Sequence, residues 1–233
     1  VKKLSNKPTI IPRVLPRGRH KLDPKLVAAS QRNRLLEAMT TLVAEKGYGA
    51  VTIGDIVRHA GTAKRTFYDH FPDKLSIFLE ALDLITETLL ASGRRAFATT
   101  GSVRERCEYS LRGYLALLVS MPSTAKVFYL EAQAAGPEAV MRRYDVQLKF
   151  VRHIVALSRA AAAEGKGQEL SELHALAVVS AIHGLIYAHL QRHGPDSLLE
   201  ISDAVVDLAV AFLTVRVPPP QRTTVRGRRR SAR

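Results

Sequence analysis

Tryptophan is absent from this chain of 233 residues, and cysteine occurs once, at Cys107. A single thiol can form no intrachain disulfide and no cysteine-based zinc cage, which excludes a disulfide scaffold and a zinc finger. A reducing compartment, the cytoplasm, suits such a chain. Acidic residues are also short: 21 Asp+Glu stand against 35 Lys+Arg, a net charge of +14. Long apolar runs are missing. The longest, near residues 209–215, is too short to cross a bilayer, so no membrane partner is expected. The basic N-terminus is not followed by the apolar core that a secretory signal carries. Neither a strand-like alternation nor an internal repeat is evident. What the chain does have is 46% apolar residues, enough to bury a core, which excludes a wholly disordered or fibrous protein.

The excess charge is unevenly placed. Residues 1–24 carry a net +6 and residues 217–233 another +6, whereas residues 25–80 carry +2 and residues 81–216 are neutral. A neutral body argues against a protein that coats nucleic acid over its whole surface. Basic arms attract polyanions by releasing condensed counterions. Pro8, Pro12, Pro16 and Pro24 punctuate the first segment, and Pro218, Pro219 and Pro220 precede the Arg-rich end. Four units are therefore expected: a disordered basic arm (1–24), a small helical domain (25–80), a larger helical domain (81–216) and a disordered tail (217–233).

Between the arms the periodicity is helical throughout, and the fold class is all-α. Leu35, Leu36, Met39, Leu42 and Val43 form the stripe of a first helix that Gly47 closes. Thr52 and Asp55 make a helix-start signal, in which a hydroxyl accepts from an orphan N–H. A short helix follows to Ala60-Gly61, another over about 63–71, and a long one opens after Pro72-Asp73. Further helices are expected at about 102–120, 123–134, 137–164, 170–193 and 196–215, separated by Pro and Gly.

Residues 52–71 read TIGDIVRHAGTAKRTFYDHF. This is a short helix, a glycine turn suited to left-handed backbone, and a second short helix. Phe67 and Phe71 would lock the second helix inward. Thr62, Lys64, Arg65, Thr66, Tyr68 and His70 would then project outward, a set of donors, cations and an aromatic that suits the major groove of DNA. Arg65 can fork to a guanine, while Tyr68 and His70 can donate to phosphates. Lys74, at the start of the next helix, is expected to hold a phosphate, and Thr52 is also expected among the DNA-binding residues.

The segment resembles the DNA-binding domain of the TetR family of transcriptional regulators, whose pattern is T-x-x-x-I-A-x-x-A-G-V-S-x-x-T-F-Y-x-H-F-x-x-K. Thr52, Ile56, Ala60, Gly61, Thr66, Phe67, Tyr68, His70, Phe71 and Lys74 match it. Val57 departs from it only in packing. Thr62-Ala63 stands where the family has Val-Ser, so Thr62 is expected to replace the missing serine cap, with the helix start shifted by one. The resemblance implies a helix-turn-helix domain followed by a helical domain for effector binding and dimerisation. It further implies a homodimer on a palindromic operator, most commonly a repressor released by a small-molecule effector. Arg17 and Arg19, in an Arg-Gly-Arg triplet like that at Arg226-Gly227-Arg228, are expected to reach DNA as an arm into a narrow minor groove.

In the second domain the expected dimer interface is Val179, Ile182, Ile186, Tyr187 and Leu190 on one helix. Val205, Leu208, Ala209 and Phe212 complete it on the next. The effector pocket is expected among Phe97, Tyr109, Arg112, Tyr114, Met121, Phe128, Tyr129, Phe150 and His153. With so few aromatics it should be mainly aliphatic and suit a hydrophobic effector. His189 and His193 stand one helical turn apart, but no further ligand completes a metal set, so no metal and no cofactor are expected. Hydrolase, zinc-protease, dinucleotide and P-loop motifs are absent, so no enzymatic activity is expected. The alternative reading is an architectural DNA-binding protein that relies on its basic tails.

Overall fold

A computed structural model describes residues 23–97, 101–165 and 167–214; the arms, with Arg17 and Arg19, lie outside them. Among the described residues there are nine helices and no strand. They are α1 (Pro24–Lys46), α2 (Ile53–Ala60), α3 (Lys64–His70), α4 (Lys74–Phe97), α5 (Val103–Ser120), α6 (Pro122–Lys126), α7 (Pro137–Ala163), α8 (Glu172–His193) and α9 (Ser202–Thr214). A π-helical turn, Val127–Glu131, extends α6, and a 3₁₀ turn, Leu198–Ile201, leads into α9.

The helix starts follow their caps. The Asp23 carboxylate accepts from Lys25 N–H, Ser102 and Glu105 form a reciprocal box at α5, and Ser171 accepts from His174 N–H at α8. At α4, Asp73 Oδ1 accepts from Ser76 N–H at 2.7 Å and from the Ser76 hydroxyl at 2.8 Å. These bonds hold the Asp73 carboxyl below its ordinary range. Gly47 closes α1 at φ +80°, a conformation that an L side chain disfavours.

The core is continuous from the stripe of α1 (Leu35, Met39, Val43) through Phe67, Phe78 and Leu89 to Leu115, Phe128, Ile186 and Val205. The boundary expected between residues 80 and 81 falls inside α4, which packs against α1 at one end and against α5 and α7 farther along. Helix α8 also departs from expectation. Its most apolar window has a mean hydropathy of 1.5, so by length and composition alone it is apolar enough to cross a membrane. It reads as interrupted because small residues and histidines break up its large apolar ones. Here it is a helix of the bundle, with Val178, Val179, Ile182, Ile186 and Leu190 buried.

Candidate nucleic-acid interface and effector pocket

Helix α2 begins with a full capping box. Thr52 Oγ1 accepts from Asp55 N–H at 3.1 Å, and Asp55 Oδ2 accepts from Thr52 N–H at 3.1 Å and from its hydroxyl at 2.6 Å. These hydrogen bonds from Thr52 hold the Asp55 carboxyl below its ordinary range. Gly61 ends the helix at φ +61° and ψ 42°, the left-handed conformation expected for it. Thr62 N–H then donates to Val57 C=O at 2.9 Å.

The cap of α3 corrects the sequence reading. The N-cap is Ala63, the position where the family carries serine, and it has no side-chain oxygen to offer. Thr62 does not replace it: its Oγ1 is buried without a hydrogen-bond partner, and the helix start has not shifted.

Phe67 is 0% exposed and Phe71 2%, so α3 is locked on that side. Lys64, Arg65 and Tyr68 stand exposed on the other, while Thr66 and His70 are half-buried. Thr52 is exposed, with its hydroxyl engaged in the cap of α2. Arg32 of α1 pins the far end of α3. Its guanidinium donates to His70 C=O at 3.2 Å, pairs with Glu80 of α4 and lies 4.5 Å from the Phe71 ring centroid. Motif matching missed this arginine, because its partners lie 38 and 48 residues away.

Lys74 is a second correction. Its ammonium is turned inward, donating to Tyr48 C=O and Val51 C=O, each at 3.0 Å, and sitting 4.2 Å from the Tyr48 ring centroid. It ties the turn before α2 to the start of α4, in place of the phosphate expected for it.

In the second half, a cavity of about 230 Å³ lies between α4, α5, α7 and α8. Leu90, Leu111, Ile154, Val179 and Ile182 supply apolar wall. Ser110, Tyr114, His153 and His183 add polar groups, Phe150 an aromatic face, and Lys149 a cation. Lys149 is exposed and marks the mouth, whereas Tyr114, Val179, Ile182 and His183 are buried at the inner end.

Of the expected pocket residues, Tyr114, Phe150 and His153 line this cavity. Tyr129 stands behind Tyr114, their hydroxyls 2.8 Å apart, and burial raises the pKa of both. The others do not belong to it. Phe128 is fully buried core, Tyr109 is 61% exposed, and Arg112 pairs with Asp203 on the surface. Met121 lines a separate groove beside α1 and α4. The Phe97 side chain is outside the described ones.

His183 of α8, which motif matching did not single out, lines the inner end of the cavity. Burial, and secondarily the charge of Arg143, push its imidazole down to about 3, so it is neutral at physiological pH. Cys107 is buried, its thiol pushed up to about 11. His189 Nε2 lies 3.0 Å from Ser197 C=O, and among the described residues no group of His, Cys, Asp and Glu is placed to hold a metal.

The expected dimer stripe is mostly interior. Val179, Ile182, Ile186, Leu190, Val205 and Ala209 are buried within the chain, and Leu208 and Phe212 are half-buried. Only Tyr187 of that set is open, at 37% exposure. The free face of α8 instead carries Leu173, Ala177, Ser180, Gly184 and Ala188. Val178, Val179, Ile182, Ile186 and Leu190 are occupied inside their own bundle, and small residues face out alongside Leu173, Leu185 and Tyr187.

A glycine-turned helix pair, with a short second helix locked inward by two phenylalanines and open on its polar side, has the form of a helix-turn-helix DNA-binding domain. Residues 35–81 match the family model of the bacterial regulatory proteins of the tetR family, so this stretch is similar to the DNA-binding domain of that family. Over 99 residues it is 28% identical to the HTH-type transcriptional activator FasR of Mycolicibacterium smegmatis, covering 42% of this chain and 45% of FasR. The chain thus spans less than half of that relative's length. The HTH-type transcriptional regulator HbdR of Aromatoleum sp. is 25% identical over 196 residues, 83% of this chain and 85% of HbdR. The transcriptional regulator FadR of Bacillus subtilis in complex with stearoyl-CoA superposes with a TM-score of 0.65 at 16% identity, over 78% of this chain and 98% of that one. That likeness shows the fold.

Proposed function

We propose that the protein is a homodimeric repressor that binds a palindromic operator and leaves it when a small hydrophobic effector fills the cavity. The observation that carries the DNA half is the two-sidedness of α3. Phe67 and Phe71 fix its inner side, while Lys64, Arg65 and Tyr68 are presented together on the outer one. Two such helices, one per protomer, would enter successive major grooves about one turn apart. Arg17 and Arg19 would add minor-groove and phosphate contacts. The protein would act in the cytoplasm, on the nucleoid. The apolar cavity supports the effector half, as does the fold shared with a regulator solved with stearoyl-CoA.

Selection of genomic fragments by the full chain at physiological salt tests this reading. A palindrome is expected; fragments without a common sequence would instead favour the architectural alternative. Arg65→Ala should relax preference at one operator position, at about 1–3 kcal/mol. An unchanged preferred sequence would remove Arg65 from base readout. Because FasR is named an activator, a reporter under the recovered operator must also fix the sign: expression rises with effector if the protein represses.

A chain of contacts links the cavity to the DNA-binding domain. The Tyr114 hydroxyl meets that of Tyr129 on the π-helical turn, a distortion that recurs at functional sites. On the same turn Glu131 Oε2 accepts from Tyr48 N–H at 2.8 Å. Tyr48 C=O in turn accepts from Lys74 Nζ. An effector that displaces Tyr114 would thereby bias the turn that supports α2 and α4, provided it binds the displaced state better. Glu131→Ala is expected to cut the effector-induced drop in operator affinity about fivefold or more, a typical coupling. Operator binding with and without saturating effector measures this, and an undiminished drop would exclude the route.

A further inference from the structure

We infer that the inner end of the cavity selects an effector bearing a neutral hydrogen-bonding group, such as a hydroxyl or ketone, on an apolar skeleton of limited size, with His183 as the residue that reads it. This rests on the effector reading above and adds to it the chemistry and size of the occupant. His183 is 6% exposed, lines the cavity, and has a buried Nδ1 without a hydrogen-bond partner. A buried polar atom left unpaired costs free energy that a complementary ligand recovers. Around it stand the rings of Tyr129, Phe150 and Phe128, at 5.3, 6.0 and 6.2 Å between centroids.

The tyrosine pair leaves a second unmet group. Two hydroxyls share one hydrogen bond, so one phenolic proton remains for another acceptor. A hydroxyl pair and a buried imidazole thus stand at the same end of the cavity, beside Val179 and Ile182. Charge is disfavoured there. The imidazole is held neutral by burial, and Lys149, the lining cation, stands at the mouth. A carboxylate at the inner end would meet no cation on the lining itself; Arg143, whose charge acts on His183, is not among the lining residues.

Size follows from volume. A cavity of about 150 Å³ holds benzene, so at the same volume per carbon the space here takes about nine non-hydrogen atoms. A stearoyl chain has roughly twice as many carbons as would fit, which sets this cavity apart from one that encloses such a chain whole.

The test uses the full-length protein and three probes, 2-nonanone, 1-nonanol and n-nonane, with binding isotherms from headspace partitioning. His183→Phe keeps a ring and removes both nitrogens. It should weaken 2-nonanone and 1-nonanol about tenfold or more while leaving n-nonane within about threefold. His183→Asn should retain the preference, and Tyr114→Phe, which keeps the fold's aromatic packing, should reduce it. A melting curve verifies that each variant is folded. Equal changes for all three probes in folded variants, or none, would overturn the selective inner end and leave the apolar cavity standing. If no probe binds the wild-type protein, the inference and the effector reading beneath it both fall.

Discussion

Gly184→Glu is expected to turn the proposed dimer into a monomer and to lower operator affinity about 100-fold or more, the scale on which two linked half-sites exceed one. The expectation comes from where α8 is covered and where it is not. Within the chain, a Cβ at Gly184 would meet nothing within 4 Å. Replacing glycine by glutamate inside a helix also favours the helix, by several tenths of a kcal/mol or more. The protomer therefore has no reason to suffer. Leu173, Ala177, Ser180, Gly184 and Ala188 recur at helical spacing along one exposed face, a surface suited to close packing against a second copy. A carboxylate buried there without a partner would cost several kcal/mol. Sedimentation equilibrium and binding to full and half operators would show it. A variant that stays dimeric with full affinity would move the interface away from this face. Ile186→Glu, on the buried side of the same helix, should unfold the protomer instead.

Adjacent residues on α3 should part company just as sharply. Phe67 is fully buried, and Phe67→Ala is expected to cost about 3–5 kcal/mol. For a chain of this size that lowers Tm by about 6–20 °C. Tyr68 is 51% exposed. Tyr68→Ala should leave stability within about 0.5 kcal/mol and weaken operator binding about tenfold, the loss of a hydrogen bond to a charged phosphate. Thermal melts and fluorescence anisotropy on labelled operator separate the two effects. Equal melting losses for both variants would mean that Tyr68 is structural and not a contact.

How far the chain could be read in advance depended on the range of the interactions. The start of α2, its glycine end and the inward Phe67 and Phe71 are set by neighbours within a few residues, and they were legible in TIGDIVRHAGTAKRTFYDHF. Lys74 and Thr62 were misread because their surroundings come from distant segments: the turn before α2 for the lysine, and the packed interior of the corner for the threonine. The residues expected at the dimer interface are mostly buried within the chain for another reason. Helix α8 has apolar residues around much of its girth, so spacing could not say which stripe its own bundle would take. Most of its large side chains went inward, leaving small residues outside together with Leu173, Leu185 and Tyr187. Three lining residues of the cavity, Tyr114, Phe150 and His153, were found because aromatic or polar residues in an apolar helix stand out. The aliphatic walls carried no such mark.

Helix α4 makes the two halves one mechanical part. It starts at the Lys74 tie, takes the Arg32 pair at Glu80 and reaches the cavity wall at Leu90 without a break. A module swap joined at residue 80 would cut through a shaft. Adding a single residue there would turn one half against the other by about 100° and push it about 1.5 Å along the axis. The angular phase between sensor and reading head is therefore built into the length of one helix, and a hybrid regulator assembled from this chain would have to inherit α4 whole.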